Sequence, residues 1–206
     1  MAFREAVSAV GGAHVLQSAR VFGSVAEATA DCSLILGTTA GQHRVPTLPI
    51  ERLEAGAEAA RRHEGRVGLL FGSEKFGLSN EDMSHCHSLL RIATSPGTPS
   101  MNLGQAVAVC LYELVREAGA AGSGAESPVE PRVEQQVAPV SGEDAEQITR
   151  MLLEVLDESG YTNRITAVST EQKVRRWVRR LEIRKRDAPL LLGILRQILW
   201  RFRSPR

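Results

Sequence analysis

A chain of 206 residues, 43% apolar but only 4% aromatic, with a net charge of +1, is long enough for one α/β domain and a smaller unit built on aliphatic cores. That composition excludes bulk disorder and low-complexity or collagen-like classes. Three widely spaced cysteines exclude a disulfide scaffold and point to a reducing, cytoplasmic setting, and no window reaches the apolar length needed to span a bilayer.

The charge is unevenly divided. Residues 1–145 carry 11 Lys/Arg against 17 Asp/Glu, whereas 146–206 carry 14 against 7. A basic tail on an acidic chain suits a polyanion, because neutralised phosphates release counterions.

In chain order, helix-forming residues begin at Phe3–Val7, and Ser24-Val25-Ala26-Glu27 has capping-box spacing. Ser33–Leu36 reads as a strand, Ile50–His63 as a helix, Val67–Phe71 as a strand, Ser79–Cys86 as a capped helix and Leu89–Ile92 as a strand. These strands are continuous rather than alternating in polarity, which predicts a parallel sheet covered by helices on both faces. A long helix follows from about Asn102 to Arg116, with Val107, Cys110, Leu111 and Leu114 on one stripe. Residues 117–140, rich in Ala, Gly, Ser, Pro and Glu without a period, read as a linker. The chain therefore divides into an α/β domain over 1–118, a linker over 119–140 and a basic helical extension over 141–206.

In the extension, Ser141 and Asp144 cap a helix whose Ile148, Met151, Leu152, Val155 and Leu156 share a face and which ends near Gly160. A second helix is expected to start at Ser169, paired with Gln172 in a capping box, with Val174, Trp177, Val178 and Leu181 inward. That leaves Arg175, Arg176, Arg179 and Arg180 outward as candidate RNA-phosphate contacts. Leu191, Leu192, Leu195, Ile198, Leu199 and Phe202 give a third helix, enough for a small bundle.

Three segments at expected strand ends can carry chemistry: Gly37-Thr38-Thr39-Ala40-Gly41, Phe71–Ser79, and Ile92–Leu103. The ends of parallel strands are where α/β domains hold small molecules. Taken singly, the first two read as turn chemistry and the third as helix capping. Three such loops at successive strand ends favour a ligand site. His85-Cys86-His87 does not predict a metal centre, since alternate side chains at a helix end diverge and no partners stand at zinc spacing. Cys110 lies on an apolar helix stripe, the setting of a packed thiol.

Taken together, Phe71-Gly72-Ser73-Glu74 with Gly77-Leu78-Ser79, then Ile92, then Pro99-Ser100-Met101-Asn102-Leu103, resemble the second and third motifs of the SpoU/TrmH branch of SPOUT-class RNA ribose 2′-O-methyltransferases. Gly37-Thr38-Thr39-Ala40 and Cys86-His87 narrow the resemblance toward the TrmJ-type tRNA (cytidine/uridine) group, which modifies an anticodon-loop position. The resemblance covers Phe3 to about Arg116, and the helical tail is similar to that group's extension. It implies a trefoil-knotted sheet whose knot binds S-adenosylmethionine against Thr38, Thr39, Ala40, Gly72, Ile92, Pro99, Ser100 and Met101. It further implies that Glu74, Ser100 and Asn102 complete the catalytic shell, that tRNA is the partner, that no metal takes part and that the chain pairs as a homodimer through the helix after Asn102. Ala93 and Met101 depart from the proline and leucine usual in the third motif.

The family's first motif, a strand and helix with an asparagine and a hydroxyl-activating arginine, would fall ahead of Met1. A chain beginning at Met1 is then expected to bind the cofactor without transferring methyl groups, and one extended upstream to transfer them. The alternative reading is a cofactor- or RNA-binding protein without that activity.

Overall fold

The computed structural model describes residues 11–40, 48–95, 97, 100–116, 138–162 and 167–204. The helix expected at Phe3–Val7 and most of the linker lie outside these residues, as does Pro99. The described elements run α1 (Ala13–Ser18), α2 (Val25–Ala28), β1 (Leu34–Thr38), β2 (Ile50–Arg52), α3 (Leu53–Arg62), β3 (Val67–Leu70), α4 (Asn80–Ser84), β4 (Ser88–Arg91) and α5 (Leu103–Arg116). Three further helices follow: α6 (Gly142–Glu158), α7 (Ala167–Arg180) and α8 (Ala188–Arg203).

The four strands form one parallel sheet in the order β2-β4-β1-β3. Ile35 and Leu36 in β1, and Leu89 and Leu90 in β4, are all fully buried. Neighbouring residues of a strand face opposite ways, so burial of both means that both faces are covered. Ile35 and Leu89 pack with Cys32, Leu48 and Cys86 on one face, and Leu36 and Leu90 with Leu53, Ala60 and Cys110 on the other.

The helix expected over Ile50–His63 begins three residues late. Ile50, Glu51 and Arg52 instead pair in parallel with Leu89, Leu90 and Arg91, and the Pro49 carbonyl accepts from the Leu89 amide at 2.9 Å. A free edge on β4 captured residues whose local pattern is also compatible with a helix. Ser79 closes a capping box with Asp82 at the start of α4, as its spacing predicts. On α5, Cys110 and Leu114 pack inward but Leu111 turns out to solvent beside Tyr112 and Val115.

The tail helices share their own core of Ala145, Ile148, Val178, Ala188, Leu192 and Leu195. The Ser141–Asp144 capping box opens α6. Gly160, at φ +75, ends it, with the Tyr161 amide donating to the Leu156 carbonyl and the Gly160 amide to Asp157. The helix expected to start at Ser169 already includes Ala167, so Ser169 lies inside α7 rather than at its start. The bundle sits against the sheet layer: the Glu143 amide donates to the Ala30 carbonyl at 2.9 Å, and a Cβ on Gly142 would lie 2.2 Å from the Thr29 oxygen. Among the described residues no helix is long and apolar enough to cross a membrane.

Candidate active site

β1 lies between β3 and β4, so the chain segments leaving the C-terminal ends of these three strands emerge side by side. Thr38 ends β1 and Thr39 and Ala40 follow it, Phe71 to Leu78 follow β3, and Ile92, Thr94, Ser100, Met101 and Leu103 come after β4. Together they line a cleft of about 460 Å³, within the range of small-molecule sites. Of the cofactor residues expected from the sequence, Thr38, Thr39, Ala40, Gly72, Ile92, Ser100 and Met101 all line this cleft. Its apolar lining includes Leu78, Met83, Leu89 and Leu103, suited to a flat heterocycle, while the loop backbones offer polar edges. Met83 carries no motif signal, because it reads as an ordinary apolar helix residue.

Glu74, on the cleft lining, meets Asn102, 28 residues further along the chain. Asn102 Nδ2 donates to Glu74 Oε1 at 2.8 Å, while its Oδ1 accepts from the Gly104 amide at 2.9 Å and more weakly from Gln105. The carboxamide thus caps α5 and anchors a carboxylate at once, and only this orientation satisfies both ends. Ser100 lies beside it on the lining.

The model of the family described as SpoU rRNA Methylase matches residues 3–112. The chain belongs to the SpoU rRNA methylase family. Over 190 residues it is 34% identical to the tRNA (cytidine/uridine-2′-O-)-methyltransferase TrmJ of Yersinia pestis (strain Pestoides F), covering 91% of this chain and 72% of that one. The protein of the same name from Klebsiella pneumoniae is 32% identical, with 92% and 77% covered. The crystal structure of TrmJ from Z. mobilis ZM4 superposes with a TM-score of 0.76 at 30% identity, covering 92% of this chain and 78% of that one.

In this SpoU methylase the basic helix is rotated from the orientation expected from its sequence. Arg175 and Arg179 are 7% and 3% exposed, whereas Trp177 and Leu181 face solvent at 46% and 45%. Arg175 Nε lies 3.1 Å from Glu146 Oε2 on α6, its Nη1 2.8 Å from Glu81 on α4 and 3.0 Å from Ser84 Oγ, and its Nη2 2.7 Å from Glu171. Arg179 Nη2 meets Glu146 Oε1 at 2.9 Å, and His85 Nδ1 stands 3.3 Å from the same carboxylate. Buried guanidiniums demand such partners. Arg175 and Arg179 are therefore corrected from RNA contacts to structural groups, Arg175 tying the tail to α4 and Arg179 tying α7 to α6. Arg180 is exposed and Arg176 half-buried, with its Nη2 donating to Gln172. The sequence hid this because Glu146 and Glu81, which draw the two arginines inward, sit on other helices.

Cys86 and His87 are structural. Burial pushes the Cys86 thiol up to about 12, an inert group. His87 Nδ1 accepts from the Ile35 amide at 3.0 Å, and the Ile35 carbonyl accepts from the His87 amide at 2.8 Å, which joins β1 to the start of β4. Burial first, then the charge of Arg179, lowers His87 to about 4 against an ordinary value of 6.5. The unfolded chain binds the proton more tightly, so this contribution is full above pH 6.5 and is lost progressively down to about pH 4. We expect His87→Asn, which keeps an acceptor for Ile35 but cannot titrate, to flatten that part of the stability profile by roughly 3 kcal/mol. Urea denaturation at pH 7 and pH 4 checks this, and an unchanged slope would assign the acid sensitivity to other groups.

Proposed function

We propose that this chain carries the cofactor-binding part of an enzyme that methylates a ribose 2′-hydroxyl of tRNA, at a cytidine or uridine of the anticodon loop, with S-adenosylmethionine as methyl donor. One observation carries the reading: the loops that hold the family's second and third motifs converge on a single cleft, with Glu74 and Asn102 tied together at its edge. The matched relatives named as tRNA (cytidine/uridine-2′-O-)-methyltransferases support the choice of substrate.

In this reading Thr38, Thr39, Ala40, Gly72, Ile92, Pro99, Ser100 and Met101 hold the cofactor, around a sheet threaded as a trefoil knot. The cofactor supplies an electrophilic methyl group when bound. The chain's own share is alignment, since displacement needs the oxygen in line and close to its target. Asn102 fixes Glu74, and Glu74 and Ser100 offer polar contacts to the incoming ribose. Arg176 and Arg180 remain as phosphate contacts on the tail. The exposed Leu111, Tyr112 and Val115 of α5 support a homodimer through this helix, and the cytoplasm is the compartment in which it would meet its substrate.

Asn102→Ala removes the cap of α5 and the anchor of Glu74 together. A hydrogen bond to a charged group contributes about 1.5–3 kcal/mol, so cofactor affinity should fall by roughly 10- to 100-fold. Calorimetry with S-adenosylmethionine measures this. Ribose-methylation mapping of RNA from cells with and without the gene tests the activity itself, and identical methylation at every position would end the proposal.

A further inference from the structure

The loop between β3 and α4 holds an aromatic ring in water. Phe76 is 74% exposed although it belongs to the lining of the cleft. Its position is built, not slack. The Gly77 amide donates to the Ser73 carbonyl at 2.8 Å, the Phe76 amide to Ser73 Oγ at 3.1 Å, and Ser73 and Gly77 form an antiparallel bridge. Gly77 turns the chain at φ +67, a conformation other residues rarely adopt. Behind this closed turn Glu74 is tied to Asn102. Lys75 stands beside Phe76 at the tip, with its ammonium 5.0 Å from the ring centroid.

We infer that Phe76 is a stacking platform for an unpaired base of the RNA, at or next to the nucleotide whose ribose enters the cleft, and that Lys75 meets the adjoining phosphate. The inference rests on the proposed function and deepens it. A 2′-hydroxyl reaches a recessed cleft only if its nucleotide leaves the stack, and a displaced base needs a new surface. An aromatic face supplies that surface for any base, and a neighbouring cation adds backbone attraction. A second copy of the chain is the weaker occupant, because one ring and one charge bury far less than a stable dimer requires, and the exposed apolar residues of α5 form a separate face.

The test compares full-length wild type, Phe76→Ala and Phe76→Trp. Phe76→Ala should weaken binding of an unmodified tRNA transcript by roughly five- to a hundredfold and lower S-adenosylmethionine affinity far less, while Phe76→Trp restores RNA binding. A stem-loop RNA carrying 2-aminopurine in its unpaired loop should lose fluorescence on binding wild type but not Phe76→Ala. Equal RNA affinity in wild type and Phe76→Ala, with the cofactor still bound, overturns the stacking role and leaves the proposed function standing. A shift of Phe76→Ala toward monomer in sedimentation would assign the ring to a dimer contact instead. Wild type that binds neither the transcript nor the cofactor overturns both.

Discussion

Gly72→Ala should abolish cofactor binding, with S-adenosylmethionine affinity lowered at least 100-fold. A Cβ at residue 72 would lie 1.9 Å from the Gly77 carbonyl carbon and 2.1 Å from the Leu78 nitrogen. Both are backbone atoms, so no side-chain rotation relieves the overlap, and the two arms of the loop must separate. Those arms carry Glu74 and Leu78, and part of the cleft wall goes with them. Global stability should fall less, by about 1–3 kcal/mol, because the loop can open without disturbing the sheet. Gly77→Ala is the informative companion. It has open space around it and suffers only the strain of its positive φ, so its cost should be about 1–2 kcal/mol. Calorimetry with the cofactor and urea denaturation of both variants separate the effects. Undiminished affinity in Gly72→Ala would show that the loop packs differently.

Glu146→Ala should be the most destabilising single change in the tail, at about 3–5 kcal/mol. It leaves Arg179, 3% exposed, without its carboxylate, and Arg175 without one of its three. An unpaired buried guanidinium must either draw in water or pull α7 away from α4. The double variant Glu146→Ala with Arg179→Met should recover part of the loss, since an apolar replacement removes the orphaned charge. The pH dependence has a definite sign. Burial alone would raise the Glu146 carboxyl, but His85, Arg175 and Arg179 outweigh it and hold it at about 2. Its contribution is thus fully present above the ordinary value of 4.5 and lost progressively as the pH falls from there to about 2. Denaturation curves at pH 7 and between pH 4.5 and 2 measure both effects. A loss below about 1 kcal/mol at pH 7 would mean that the cluster is effectively solvated.

Much of the α/β layer is legible in the residue order alone. Continuous apolar runs at Leu34–Leu36, Val67–Leu70 and Leu89–Leu90 mark buried parallel strands, because a strand covered on both faces has no polar side to show. Ser79 with Asp82 and Ser141 with Asp144 mark helix starts through bonds made within four residues, so their geometry is contained in the local sequence. The motif segments, taken in order with their glycines and hydroxyls, point to Thr38, Gly72, Glu74, Ser100 and Asn102 as one site, although nothing local brings Asn102 to Glu74.

The remainder depends on partners distant in the chain. Ile50–Arg52 became a strand because β4 offered an open edge, a choice that no window around Ile50 contains. The α7 helix has two faces that can be buried, one apolar and one arginine-rich. Glu146 on α6 and Glu81 on α4 supplied the charges that made the second worth burying, so Trp177 and Leu181 turned outward and Arg175 and Arg179 inward. Hydrophobic periodicity records how apolar residues recur along one helix, but the cost of burying a charge is set by what stands opposite it. For this chain, the sequence by itself marked β1, β3 and β4, the helix caps at Ser79 and Ser141 and the loops that line the cleft. The tertiary structure decided the rotation of the basic helix and the exposure of Phe76, because both follow from contacts between elements.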